Sequence, residues 1–268
     1  MKMKLARNLV VGLSAGMVLT ILSGCTTVPE TGRRQLNLFS PGQEMQLGLT
    51  AFNEVKSKTP INKDPAINAQ VQRVGQRIAA VAPLPGAQWE FVVFENNEPN
   101  AFCLPGGKVG VHTGILPIAK DDAGLATVIG HEVAHAVARH GAERMSEALL
   151  MQTGSSLLGA TLSSADPRTQ VAVMTAYGLG AKLGRELPHS RAQESEADQL
   201  GLLYMARAGY DPEAAIGFWQ RFAEHNRQHG GPQGLWFLRT HPLDEVRIQQ
   251  LKEWLPRAKA EYEIHKPR

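Results

Sequence analysis

The stretch GHEVAHAVARH, Gly130 to His140, constrains this chain more than any other. It sets His131, Glu132 and His135 in the spacing H-E-x-x-H within a run that reads as helix. Each helical residue advances by about 100°, so His131 and His135 fall about 40° apart and one turn along the axis. Both imidazoles can then reach one metal ion. Glu132 is offset by about 100°, too far round to share the ion but well placed to hold a water bound to it. Two neutral nitrogen ligands with a general base beside the nucleophile are the physical reason for this spacing. His140 lies about 180° round from His131 on the same count, so it is expected to point away from the metal. Its expected place is the helix C-terminus, where the dipole favours it.

A third ligand has to come from elsewhere. The stretch SRAQESEADQLG, Ser190 to Gly201, places Glu194 and Asp198 four residues apart on one face of a second predicted helix. Glu196 falls on the other side, about 200° from Glu194. Glu194 is the candidate ligand. Asp198 is the candidate partner that accepts a hydrogen bond from a ligand imidazole and fixes its tautomer. Two His and one Glu with an open fourth position make a catalytic zinc set, not a closed structural one.

Around these motifs the period of the sequence changes twice. Ser40-Pro41 reads as a helix start, with a helix to about Lys58 that carries Met45, Leu49, Phe52 and Val55 on one face. Asp64-Pro65 opens a second helix, with Ile67, Val71, Val74, Ile78 and Val81 at three-and-four spacing. QWEFVVFE, AFCL and KVGVHTG then read as short strands, the last two around a Pro-Gly-Gly break. From Asp121 onward the chain is mostly helical, with helices expected at about 121–140, 143–162, 166–186, 190–208, 212–229 and 243–260. The order predicts an α+β fold, predominantly helical, with a small antiparallel sheet. Cys103 sits in an apolar stretch and reads as a small strand or core residue.

The first residues stand apart. Lys2, Lys4 and Arg7 precede an apolar run from Leu9 to Leu22, too short and glycine-rich for a comfortable membrane span, and the layout is that of a secretory signal. Leu22-Ser23-Gly24-Cys25 resembles the lipobox of bacterial lipoproteins. That resemblance implies cleavage before Cys25, lipidation of Cys25, and, with Thr26 next, delivery to the outer membrane. The expected organisation is a signal peptide over 1–24, a lipid-anchored tether over 25–40 and one domain over 41–268. The formal charge is +3, and three of the positive charges lie in the signal. The remainder is near neutral, so the basic balance gives no support to nucleic-acid binding.

Four stretches, NAFCLPGGKVGVHTGIL, GHEVAHAVARH, SRAQESEAD and RTHPLDEVRI, resemble the M48 family of metallopeptidases in identity and order. The resemblance spans about residues 95 to 250. It implies a gluzincin-type helical fold and one Zn2+ per chain on His131, His135 and Glu194, with Glu132 as the base that activates zinc-bound water. It also implies that the strand from Lys108 through Val109, Gly110 and Val111 binds an extended substrate by edge pairing. Asn100 is a candidate for hydrogen-bonding substrate backbone, or simply a turn residue. His241 is a candidate for stabilising the oxyanion or for occupying the open zinc position. The family reading further implies a peptidase acting on unfolded or misfolded periplasmic or outer-membrane proteins, with the outer-membrane assembly machinery as a candidate partner. Two rivals stay open: a zinc-bearing chaperone or adaptor that seldom cleaves, and a zinc hydrolase of another class.

Overall fold

The computed structural model describes residues 25–181, 187–229, 241 and 245–267. The expected signal peptide and the stretch from 182 to 186 lie outside the described residues. The described residues begin with a short hairpin, β1 (Cys25–Thr27) and β2 (Arg34–Leu36), and continue into α1 (Pro41–Lys58) and α2 (Pro65–Ala79). Three strands follow: β3 (Glu90–Phe94), β4 (Ala101–Leu104) and β5 (Lys108–His112). A 3-10 turn (Thr113–Ile115) and the short α3 (Leu116–Ala119) lead to α4 (Asp122–Val137), α5 (His140–Thr161) and α6 (Pro167–Ala181). The described residues end with α7 (Leu187–Arg207), α8 (Ala214–His229) and α9 (Glu245–His265). This is the expected helix-dominated α+β fold.

Local chemistry sets the early boundaries. Ser40 caps α1 with a full capping box, its side chain accepting from Gln43 and the Gln43 side chain returning to the Ser40 backbone. Asp64 caps α2 through the amides of Ala66 and Ile67. Val71, Val74 and Ile78 of α2 are fully buried, a contribution of about 1.5–3 kcal/mol each. On α1 the buried face differs from the expected one. Glu44, Gly48 and Phe52 point inward, while Leu49 is exposed. A Cβ on Gly48 would lie 2.3 Å from the Pro105 carbonyl oxygen, so the helix packs on the turn after β4 by backbone contact.

The three-stranded sheet is mixed, not purely antiparallel. Its order is β3-β5-β4, with β4 antiparallel to β5 and β3 parallel to it. Gly106 and Gly107, both at positive φ, close the β4–β5 hairpin. β3 then fills the second edge of β5.

α4 is buried on every side: each residue from Gly124 to Val137 is inside. A helix apolar all round is a central helix. It crosses α7 at a pair of glycines. A Cβ on Gly130 would lie 3.1 Å from the Gly201 carbonyl oxygen, and one on Gly201 would lie 3.0 Å from the His131 amide nitrogen. α8 packs Phe218, Trp219 and Phe222 into the same core. At its end α4 stops rather than running on to His140. Arg139 adopts φ 57°, a left-handed conformation uncommon outside glycine, and the chain restarts as α5 in a new direction. The Arg139 guanidinium donates to the Phe39 carbonyl at 2.9 Å and pairs with Glu44, which holds this junction.

The segment before α1 lies along the body. Val28 belongs to the core, the Gln35 amide donates to the Ala138 carbonyl at 2.8 Å, and the Leu38 amide donates to Ser146 Oγ at 2.9 Å.

Candidate metal centre

The two glycines bring the polar faces of α4 and α7 together. His131 Nε2 and His135 Nε2 are 3.1 Å apart. Glu194 Oε2 lies 3.3 Å from His131 Nε2, and Glu194 Oε1 lies 3.3 Å from His135 Nε2. An ion held at about 2.0–2.1 Å by tetrahedral ligands has ligand–ligand edges of about 3.3 Å. The spacing therefore fits zinc, and both imidazoles and the carboxylate are at least 94 % buried. His241 enters the same group. Its Nδ1 lies 3.0 and 3.1 Å from the Glu194 oxygens and 3.4 Å from His131 Nε2. Ligand atoms of all four residues fall within 4.8 Å of one another.

Glu132 stands beside this group. Its Oε1 is buried and has no hydrogen-bond partner, and His241 Nε2 is 3.6 Å away. Burial raises the Glu132 pKa above the ordinary carboxylate value. Burial would also raise that of Glu194, but the imidazoles of His135, His241 and His131 packed against it hold it well below. Burial drives the His135 pKa well below the usual imidazole value, which favours the neutral, ligating form. At His131 burial also lowers the pKa, but Asp198 and Glu194 outweigh it and push it up to about 9.

The far nitrogens of the two imidazoles are both engaged. His131 Nδ1 is 3.0 Å from Asp198 Oδ1, and Asp198 is clamped by Arg247 Nε and Nη2 at 2.8 and 2.9 Å. The Arg247 guanidinium lies 4.8 Å from the Trp219 ring centroid, and Trp219 also packs edge-on against His131. His135 Nδ1 is 2.8 Å from His140 Nδ1. His140 is therefore not turned away, as expected from the helix count. The helix has ended, and the turn at Arg139 swings His140 back under His135. Its Nε2 is 2.9 Å from Glu196 Oε2. Glu196, on the other side of α7 from Glu194, faces protein rather than water.

A cavity of about 220 Å³ opens beside this group, lined by β4, Glu132, His135, Arg139, Arg144 and His241. The strand that faces it corrects the expectation for Lys108, Val109, Gly110 and Val111. β5 is the central strand, paired on both sides, so it has no edge to offer a peptide. Lys108 Nζ donates to the Gln88 carbonyl at 2.7 Å. Gly110 leaves room for the Phe102 ring, which would lie 2.3 Å from a Cβ there. The open edge is that of β4, which has no second strand partner among the described residues. The His112 amide donates to the Asn100 carbonyl at 3.0 Å. By antiparallel alternation Phe102 and Leu104 also face β5, so Ala101 and Cys103 turn their main-chain groups to the open edge. Asn100 is buried with an unpartnered Oδ1.

Sequence reasoning gave Arg247, His140, Glu196 and Arg33 no part in the metal site, and set His140 at a helix C-terminus instead. Arg247 lies inside RTHPLDEVRI, and a cation one turn into the last helix was its available signal. Arg33, which reaches Glu196 at 2.7 Å across 163 residues, has no local signal.

An H-E-x-x-H helix crossed by a helix bearing a carboxylate as the third donor, beside an open strand edge, defines a metallopeptidase site of the His-His-Glu type. Residues 65–255 match Peptidase family M48, and the chain belongs to that family, whose members use zinc. It is 38% identical to the mitochondrial metalloendopeptidase OMA1 of Schizosaccharomyces pombe over 88% of this chain and 68% of that protein. With the protein of the same name from Saccharomyces cerevisiae it shares 40% identity over 67% of this chain and 51% of the relative. It is 29% identical to the beta-barrel assembly-enhancing protease of Escherichia coli K12, over 91% of this chain and 51% of that protein. The chain thus spans about two thirds of the first relative and about half of the other two.

Proposed function

We propose that this chain is a zinc-dependent endopeptidase, with His131, His135 and Glu194 as the zinc ligands. The observation that carries the reading is the buried, unpartnered Glu132 Oε1 next to the three convergent donors and facing the cavity. Zinc, when bound, supplies a Lewis acid that polarises the scissile carbonyl and makes water acidic near neutral pH. The substrate is held as an added strand on β4, through the main-chain groups of Ala101 and Cys103, with the Asn100 amide as a further contact. Glu132 takes the proton from the attacking water and delivers it to the leaving amine, a double task that its raised pKa suits.

The test is cleavage of casein by the form beginning at Thr26, with metal measured on the same sample. Glu132→Gln is expected to keep one zinc per chain and lose turnover by at least about a hundredfold, the scale of a positioned acid–base group. Retained proteolysis by that variant would sink the assignment. Zinc without cleavage by any variant would favour a non-cleaving chaperone or adaptor.

A second reading concerns His241. Its Nδ1 stands within the donor group, where it can serve as a fourth ligand that keeps the enzyme latent. On this reading His241→Ala cleaves casein faster than the wild type. If His241 instead stabilises the oxyanion, the same change slows cleavage.

The substrates proposed are unfolded or misfolded proteins of the periplasm or outer membrane, with the chain tethered to the outer membrane of a Gram-negative bacterium through a lipid on Cys25. This rests on the lipobox-like start and on the name of the Escherichia coli relative. Mitochondrial relatives match the same domain, so the domain by itself does not fix the compartment.

A further inference from the structure

We propose that Arg33 and Thr31, in the hairpin that precedes α1, are positioning residues for the metal site, acting on His135 through Glu196 and His140. The inference rests on the proposal that His135 is a zinc ligand. His135 turns Nε2 to the donor group and Nδ1 to His140. A neutral imidazole that offers the Nε2 lone pair to a metal carries its proton on Nδ1. That proton has one acceptor on this line, His140 Nδ1 at 2.8 Å. His140 can accept there when its own proton is on Nε2, and Nε2 is 2.9 Å from Glu196 Oε2. The direction of every bond is thereby fixed: His135 donates to His140, and His140 donates to Glu196.

The chain holds while Glu196 keeps Oε2 in place to accept from His140 Nε2. Arg33 Nε donates to Glu196 Oε2 at 2.7 Å, and the Thr31 hydroxyl donates to Oε1. The same guanidinium grips Glu143 through Nη1 and Nη2 at 2.8 and 2.9 Å, and Glu143 accepts from Gln193, the neighbour of Glu194, at 2.7 Å. Arg33 thus ties both carboxylates beneath the metal site to one cation. Without it, Glu196 is free to release His140, and the opposite His140 tautomer would set two N–H groups against each other at 2.8 Å. His135 would have to turn its ring away from the ligating orientation.

The experiment measures zinc affinity by competition with a chromophoric chelator, and the d–d absorption of the Co2+-loaded protein, on the chain from Thr26. The variants are Arg33→Met, Arg33→Lys, His140→Phe and Arg34→Met, with His135→Ala as the ligand control. Removal of such outer partners typically costs 10- to 100-fold in metal affinity. His140→Phe is expected in that range and Arg33→Met at about tenfold, with a shifted Co2+ spectrum and a lower kcat at unchanged KM for a peptide. Arg33→Lys recovers part of the loss. Arg34, the exposed next residue, supplies the charge control, and Arg34→Met leaves all readouts as in the wild type. Should Arg33→Met not fold, Thr31→Val, which removes one bond to Glu196, is read in its place and is expected to weaken zinc in the same direction. Wild-type affinity and spectrum in Arg33→Met, with metal lost in His135→Ala, overturns the proposal while leaving the zinc site intact. Undiminished zinc in His135→Ala overturns the ligand assignment and the positioning role together.

Discussion

The two imidazoles proposed as zinc ligands are supported by unlike arms. Behind His131 stands one carboxylate, Asp198, gripped by one guanidinium, Arg247, from the last helix. Behind His135 stand a second imidazole, then Glu196, then Arg33 from the first hairpin. Both arms end in an arginine on a carboxylate, the geometry best suited to a buried pair. The first is short and deeply buried, with one residue each from α4, α7 and α9. The second is longer, more exposed at its end, and joined by residues far apart in sequence. A direct carboxylate–imidazole contact concentrates its effect in one residue, whereas a relay spreads it along several.

This contrast can be broken most sharply at Asp198. Asp198→Ala removes the carboxylate that Arg247 grips with two bonds and leaves the buried guanidinium its contact with Glu194 at 3.2 Å; breaking a buried pair in this way costs about 3–5 kcal/mol. Loss of folding stability in urea, together with loss of zinc, is the expected result; a stable variant with full zinc would make the two arms equivalent. Next comes the joint on which both arms depend. Gly201→Ala forces a methyl group to 3.0 Å from the His131 amide, and overpacking of this kind costs about 1–3 kcal/mol. It should weaken zinc binding through both arms at once, which chelator competition on this variant combined with Arg33→Met would reveal as a non-additive loss. The smallest effect is expected away from the site. Ser40→Ala removes the cap of α1 at a cost of about 1 kcal/mol, visible in the melting temperature, with zinc affinity unchanged.

How far the sequence could be read follows from the same contrast. The donors of α4 and α7 were legible because helical spacing converts sequence into direction. Asp198 was legible for the same reason, and the structure places it on His131. His140 was not, because the count of about 100° per residue fails once the helix ends. The break falls on Arg139, a residue with no intrinsic preference for the left-handed region, and it is stabilised by Phe39 and Glu44, nearly a hundred residues away. Strand order was equally hidden. KVGVH reads as a strand from its composition, but whether it lies at the edge or the centre depends on where β3 pairs, and no local pattern encodes that.

The glycine crossing has one more consequence. The helices that carry the proposed ligands meet backbone to backbone at Gly130 and Gly201, with no side chain between them as a spacer. The bite of the ligand set is therefore fixed by hard contact, as a jaw closed on its stop. Core substitutions elsewhere can loosen the protein without changing that bite, whereas lengthening either stop by a single methyl group opens the jaw.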